Sequence, residues 1–178
     1  MFLVTGPTGS GKTTTLYTAL SHLNDGRKKI VTVEEPIEYT LEGIDQAQVQ
    51  SDVGLTFSRA LRSVLRQDPD VIMVGEIRDQ ETAEIACRAA LVGRMVIATL
   101  HTNSAEGAMM RMLDLGVPKY FLDDVLRAAL GQRLVVVGCE RCGGKGCENC
   151  NETGFVGRRL EVELFQLKDQ NSHQNARP

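Results

Sequence analysis

The sequence predicts an α/β fold: a doubly wound, mostly parallel sheet with helices on both faces. Apolar strand-like runs alternate with helical patterns up to about residue 135, as expected for parallel strands joined by crossover helices. Two of these runs, 71–74 and 95–100, lack the polar alternation of half-exposed strands, so burial on both faces is expected. A glycine-rich loop separates the first apolar run from the first helical pattern. We expect a core domain over 1–137, a cysteine-rich subdomain and its following strand over 138–167, and a disordered tail over 168–178.

Turn and capping residues place the boundaries of the individual elements. After the helix that opens behind the glycine-rich loop, further helices are expected over 57–67, 80–92, 105–115 and 120–130. Ser58 and Ser104 are the predicted caps of two of them. Besides the two buried runs, strands are expected over 2–4, 30–33, 134–137 and 160–164. The segments 37–41 and 46–50 alternate moderately around Glu42-Gly43, which predicts a β-hairpin.

Composition narrows the class of protein. The 178 residues suffice for one sizeable core and a small appendage. A net charge of −3 with 4% aromatic residues and no Trp argues against a nucleic-acid groove, which normally combines basic and aromatic side chains. No apolar run approaches the roughly 20 residues that span a bilayer, so a cytoplasmic protein is expected.

The glycine-rich loop is the strongest functional signal in the chain. Its residues and the one after them are the nucleotide-binding candidates: Gly6, Pro7, Thr8, Gly9, Ser10, Gly11, Lys12, Thr13 and Thr14. They fit G-x-x-x-x-G-K-[ST] between a strand and a helix, where backbone N–H groups and the helix N-terminus face phosphates. Lys12 would reach the β- and γ-phosphates, and the Thr13 hydroxyl would hold Mg²⁺. We therefore predict binding of ATP or ADP with Mg²⁺.

Three chemically capable side chains follow other predicted strands. Glu34, Glu76 and His101 come directly after or at the end of apolar runs. Because parallel strands end along one edge of the sheet, these groups are expected to meet the glycine-rich loop there. Hydrolysis of a γ-phosphate requires a metal, a positioned water and a carboxylate to orient it, so all three are catalytic candidates.

Each candidate also has a structural interpretation. Glu34 could be a solvated acid in a turn, Glu76 could pair with Arg78, and His101 could be an ordinary surface residue. The arginines of the 57–67 helix are expected on its solvated face; they are Arg59, Arg62 and Arg66.

Four motifs in one order resemble a known family. The glycine-rich loop and the segments 33–39, 65–79 and 99–103 are similar to the Walker A, Asp-box, Walker B and His-box motifs of the secretion ATPase superfamily. The resemblance extends to about residue 167 and implies a P-loop RecA-like motor domain of type II secretion or type IV pilus assembly. It implies that Glu34 activates the attacking water, that Glu76 helps to hold Mg²⁺ through water, and that His101 senses the γ-phosphate.

The resemblance also carries expectations about assembly. It implies a hexamer that works with an inner-membrane platform protein, so that the cytoplasmic chain associates peripherally with that membrane; no nucleic-acid partner is expected. Glu35 stands where the family usually has Asp, and Arg94 replaces a commoner His. The family's preceding domain, which supplies arginines to the nucleotide, is not in this sequence. We therefore expect slow or unmeasurable hydrolysis by the chain alone. Should the chain carry its own arginine finger, an arginine that reaches the γ-phosphate, Arg94 is the first suspect.

The four clustered cysteines predict a metal site. Cys139, Cys142, Cys147 and Cys150 form two C-x-x-C pairs, and the intervening glycines allow the short connection to close a tetrahedron. Zn²⁺ is favoured because four thiolates on short turns make a closed structural site. Free cysteines and a rubredoxin-like iron site are the alternatives. The cluster resembles that of secretion and pilus-assembly ATPases, although the family usually separates the pairs by a longer insert. Cys87 lies in an alanine-rich helix and is expected to pack as a small apolar residue.

Two other functions remain compatible with the residues. One is a nucleotide-binding remnant without turnover of its own. The other is a nucleic-acid-translocating RecA-like ATPase, against which the weak basic character and few aromatic residues argue.

Overall fold

The computed structural model describes residues 1–167, and the tail expected to be disordered lies outside them. Seven strands of the described residues form one sheet: β1 Phe2–Thr5, β2 Ile30–Glu34, β3 Asp45–Gln48, β4 Val71–Val74, β5 Met95–Leu100, β6 Ala128–Gly138 and β7 Phe155–Gln166. The helices of the same residues are α1 Lys12–Leu23, α2 Phe57–Leu65, α3 Gln80–Leu91, α4 Ala105–Asp114 and α5 Lys119–Val125. Short 3₁₀ turns occupy Ser51–Val53 and Glu148–Cys150.

The sheet is parallel except at one edge. Its order is β3-β2-β4-β5-β1-β6-β7, and only the β6–β7 pair is antiparallel among the described strands. The registers of the central strands are close, with Val33 opposite Val74, Val74 opposite Ala98, and Thr5 opposite Leu100. The carboxyl ends of β1, β2, β4 and β5 therefore lie side by side, as the sequence predicts.

Helices cover both faces, which confirms the doubly wound fold. On one face, α2 to α5 pack on side chains such as Val33, Ile72 and Ala98. On the other face, Leu16, Tyr17 and Leu20 of α1 pack on the alternate strand residues, Val4, Ile30, Val71, Met73 and Ile97. Because the side chains of a strand alternate between faces, the unbroken apolar runs supply buried side chains to the helices on both faces of the sheet. None of the helices in residues 1–167 is long and apolar enough to cross a membrane.

The hairpin expected around Glu42-Gly43 is wrong. Asp45–Gln48 is a strand, but it pairs in parallel with β2, and 37–41 contains no strand. Backbone N–H groups of that loop are satisfied by side chains instead: Ile37 donates to Gln48 Oε1 at 3.2 Å and Leu41 to Gln46 Oε1 at 2.7 Å. The open edge of β2 attaches the strand to a larger sheet, whereas an isolated two-stranded hairpin is marginally stable at best.

The helix expected over 120–130 is too long, and the strand expected over 134–137 is too short. Helix α5 ends at Val125, and β6 already begins at Ala128, where Ala128–Gly131 pairs in parallel with β1. The free edge of β1 thus overrides local helix preference. A smaller correction concerns α2, whose cap is Thr56, with its side chain accepting from Arg59 N at 3.3 Å, rather than Ser58. Ser104 caps α4 as predicted, accepting from Gly107 N at 3.1 Å.

The last two strands form a long ribbon that leaves the body of the sheet. Strands β6 and β7 pair over most of their 11 and 12 residues, with Leu134 opposite Leu160 and Gln132 opposite Val162. The cysteine-rich segment connects the two strands at the ribbon's tip, while the start of β6 lies beside β1. One continuous pair of strands therefore links the cysteines to the centre of the sheet.

Burial of α5 gives a test of this fold. The helix has only seven residues, too few for stability of its own, so its position depends on burial of its apolar face. Leu122 is fully buried, and we expect Leu122→Ala to lower the free energy of unfolding by about 2–5 kcal/mol in urea titrations. Tyr120→Ala, at a side chain 73% exposed in the same helix, should change it by about 0.5 kcal/mol or less. Equal losses in the two variants would contradict the docking of α5.

Candidate functional site

The glycine-rich loop runs from the end of β1 to the start of α1. Gly11 is the N-cap of α1 with φ 88°, a left-handed conformation that glycine adopts without strain, and α1 has no side-chain cap. Lys12 is largely buried, and its ammonium donates to Gly6 O at 2.8 Å and to Pro7 O at 3.2 Å. Burial lowers the pKa of Lys12, and the nearby Glu76 carboxylate partly offsets that effect. The lysine thus holds a positive charge against the loop.

The loop has the polar groups that a polyphosphate requires. Backbone N–H groups of the first turn of α1 have no side-chain acceptor, and the helix dipole is positive at this end. Among the buried side-chain nitrogen and oxygen atoms of residues 1–167, only Ser10 Oγ has no hydrogen-bond partner. The uncapped donors and the Lys12 ammonium together fit a bound phosphate group.

A cavity of about 660 Å³ lies in front of the loop, along the carboxyl edge of the sheet. Nine of the predicted site residues line it: Thr8, Gly9, Gly11, Lys12, Thr13, Thr14, Glu34, Glu76 and His101. Gly6, Pro7 and Ser10 do not; Gly6 and Ser10 are buried beneath the loop, and Pro7 is exposed outside the cavity. The structure thus brings together the loop and the three catalytic candidates from different strands.

Glu34 is a buried carboxylate held by three donors. It is 2% exposed at the end of β2, so it is not the solvated turn residue of the structural interpretation. Its Oε1 accepts from Thr32 Oγ1 at 2.5 Å and from Gln46 Nε2 at 3.1 Å, and its Oε2 accepts from the Tyr17 hydroxyl. Burial, followed by this contact with Glu34, raises the pKa of Tyr17. A carboxylate offers about four lone-pair positions, so one on Oε2 remains for a further donor.

Four side chains at the mouth of the cavity form a chain of polar contacts, here called the rim network: Glu35, Arg78, Glu76 and His101. Arg78 donates to Glu76 Oε2 at 2.7 Å and to Glu35 Oε2 at 3.1 Å, and His101 Nε2 lies 2.9 Å from Glu76 Oε1. The pairing of Glu76 with Arg78, considered from the sequence, is therefore present. Glu76 is the most buried member, at 16% exposure, whereas Arg78 is 57% exposed, so solvent screens the contacts of Arg78 and the network positions side chains more than it adds stability.

Arg94, the first suspect should the chain carry its own arginine finger, does not lie at the cavity. Arg94 precedes β5, at the amino edge of the sheet, and pairs with Asp68 there. The cavity lies at the opposite, carboxyl edge. Arg59, Arg62 and Arg66 are exposed on α2 as predicted, with Arg62 2.6 Å from Glu81.

The cysteine cluster at the tip of the ribbon has the shape of a metal site. The four Sγ atoms lie within 4.8 Å of one another, and the closest pairs are 3.8–3.9 Å apart. Four thiolates about 2.3 Å from a central ion would place their sulfurs about 3.8 Å apart. Backbone N–H groups of Cys147 and Gly154 point at Cys150 Sγ from 3.2 and 3.3 Å. Cys87 is fully buried in α3 as predicted, and burial raises the pKa of its thiol to about 12.

Sequence reasoning missed the residues that hold the catalytic candidates in place. Tyr17 reads as one more apolar position of α1, and Gln46 lies in a segment assigned to a hairpin. The sequence suggests Glu76 as a partner of Arg78 but gives no sign that Arg78 also reaches Glu35. The sequence offered one signal, since a tyrosine among the apolar residues of a buried helix face usually needs a polar partner.

Comparisons with known proteins agree with this geometry. Residues 1–177 match the family model described as type II/IV secretion system protein. The chain is 48% identical over 194 residues to the type II secretion system protein E of Pseudomonas aeruginosa, covering 95% of this chain and 39% of that protein. It is 59% identical over 168 residues to the protein of the same name in Xanthomonas campestris pv. campestris, covering 94% of this chain and 28% of that one. The chain thus spans well under half the length of these relatives.

Solved structures show the same fold. The pilus retraction motor PilT with bound ADP superimposes with a TM-score of 0.76 and 38% identity, covering 95% of this chain and 48% of that one. The Legionella pneumophila ATPase DotB gives a TM-score of 0.74 and 28% identity, covering 94% of this chain and 45% of that one. With nearly all of its length matched by the family model, the chain belongs to the type II/IV secretion system protein family.

Proposed function

We propose that the chain is the ATP-binding and ATP-hydrolysing motor domain of a type II secretion or type IV pilus-assembly machine. The observation that carries this proposal is the arrangement at the carboxyl edge of the sheet. A buried lysine and an uncapped helix N-terminus face one cavity with Glu34, Glu76 and His101. Relatives that are named type II secretion proteins, and a similar motor with bound ADP, support the same function.

The chain's own residues divide the work as follows. Backbone N–H groups of the loop and the Lys12 ammonium bind the β- and γ-phosphates. Thr13 and Glu76 would hold Mg²⁺, which supplies positive charge to the phosphate oxygens when bound. Glu34, fixed by Thr32, Gln46 and Tyr17, offers the free lone pair of Oε2 to the attacking water. His101, which lines the same cavity and contacts Glu76, would sense the γ-phosphate.

We also propose the assembly and location that this function implies. The chain would act within a homohexamer, in contact with a platform protein of the inner membrane, and would be cytoplasmic and peripherally attached to that membrane. The names of the relatives support a role in a secretion or pilus machine; the hexamer, the platform protein and the membrane attachment follow from the family resemblance of the motifs.

Zn²⁺ is the proposed ion of the cysteine cluster. The sulfur spacing fits a tetrahedron, and the four thiolates leave no position open to substrate. Such an ion would fold a segment that buries few apolar side chains of its own, and so would have a structural role.

Nucleotide binding is tested first. We expect Lys12→Ala to abolish binding of ADP with Mg²⁺ in isothermal titration calorimetry, because the variant loses the full charge at the β-phosphate. Lys28→Ala, at an exposed lysine that pairs with Asp25, should bind as the unaltered chain does. Equal affinity of the Lys12→Ala variant and the unaltered chain would refute nucleotide binding by this loop.

Turnover by the isolated chain is expected to be slow. The permanently charged cations that line the cavity are Lys12 and Arg78, and Arg78 is engaged by two carboxylates. An arginine delivered to the γ-phosphate is worth about 10³–10⁵ in rate, so without one the chain should bind ATP and hydrolyse it slowly or not measurably. Single-turnover assays with radiolabelled ATP, with Glu34→Gln as the inactive control, measure this rate. Several turnovers per second would show that the chain supplies its own finger, and Arg78 would then be the residue to examine.

Metal content provides the third test. We expect one Zn²⁺ per chain by mass spectrometry of freshly purified protein, and less than one in Cys142→Ser, because three thiolates bind more weakly than four. Cys87→Ala, at a cysteine distant in sequence from the cluster and buried in α3, should retain the full complement. Iron in place of zinc, or equal zinc loss in both variants, would contradict the proposed site.

A further inference from the structure

Gln132 of β6 lies against the glycine-rich loop, although more than a hundred residues separate them in the sequence. The side chain is buried, at 3% exposure. Its Nε2 donates to Ser10 O at 2.7 Å, and its Oε1 accepts from Thr15 Oγ1 at 2.9 Å. One amide therefore joins the turn of the loop to the first turns of α1.

The backbone of Gln132 also contacts the loop. A Cβ atom placed on Gly6 would lie 2.1 Å from Gln132 O, and one on Gly11 would lie 3.5 Å from Gln132 Nε2. Gln132 directly follows Gly131, which pairs with Thr5, the last residue of β1. Gln132 therefore stands beside the point where the chain turns from β1 into the loop and supports the loop along its length.

An uncharged amide is well suited to this position. The carbonyl of Ser10 requires a donor and the hydroxyl of Thr15 requires an acceptor, and a glutamine side chain supplies both. A carboxylate here would place an oxygen against Ser10 O and a negative charge beneath the phosphates. The bond to Ser10 O is buried, so an apolar side chain would leave that carbonyl without this donor, and it would also remove the acceptor of the half-buried Thr15 hydroxyl.

We propose that Gln132 is a positioning residue for the phosphate-binding loop, which holds the backbone N–H groups of the loop in the arrangement that a polyphosphate requires. This inference rests on the proposed nucleotide binding. The residue acts through Ser10 and Thr15 and does not line the cavity itself. It also places the base of the β6–β7 ribbon in direct contact with the nucleotide site.

The test compares ADP affinity in variants that keep the volume of the side chain. We expect Gln132→Met and Gln132→Glu to raise the Kd for ADP with Mg²⁺ at least tenfold in isothermal titration calorimetry. The control is Thr82→Val, at a buried residue of α3, which removes a 2.9 Å hydrogen bond to Asp79, the N-cap of that helix. It should lower thermal stability but leave the Kd unchanged, which separates loop positioning from general destabilisation.

A second pair of variants tests the same contact from α1. Thr15→Val removes the hydroxyl that Gln132 Oε1 accepts from and should weaken ADP binding, whereas Thr15→Ser keeps it and should restore affinity. Absence of ADP binding by the unaltered chain would overturn the proposed function, and this inference with it. If the unaltered chain binds ADP and the Kd of Gln132→Met or Thr15→Val stays within twofold of its value, this inference alone is overturned.

Discussion

The parallel register of β1, β2, β4 and β5 is the constraint on which the site depends. Because these strands end at nearly the same level, the residues that follow them meet along one edge without any long excursion of the chain. Apolar side chains on both faces fix this register, since a slip by one residue would exchange the faces to which those side chains point. Core packing and site geometry are therefore set by the same residues.

Much of this arrangement is predictable from local sequence. The glycine-rich loop before α1 is recognised from the spacing of residues that are adjacent in sequence. Glu34, Glu76 and His101 are found because each ends or follows a largely apolar run. The four cysteines are equally local, since two short pairs separated by glycines bring their sulfurs together within one connection. In these cases the residues that identify the feature are also the residues that build it.

Other features depend on pairing between distant segments, which local patterns do not record. Strand β3 is polar and short, and only the free edge of β2 makes it a strand. The start of β6 has helical preferences and is held extended by β1. Tyr17 and Gln132 show the same limit for side chains, because their partners, Glu34 and Ser10, lie on other elements. Their roles follow from contacts made in the fold and cannot be recognised from the residues next to them in the sequence.

The rim network also changes how substitutions at this site should be understood. Glu35, Arg78, Glu76 and His101 follow three different strands yet contact one another in one unbroken series. Removing one member alters the partners of the next, so the effects of single replacements will not sum to the effect of a double one. A variant lacking Arg78 would leave two carboxylates facing each other across the mouth, whereas one that also lacks Glu35 would be relieved of that repulsion. Paired replacements at the mouth of the cavity should therefore be tolerated better than the loss of Arg78 alone.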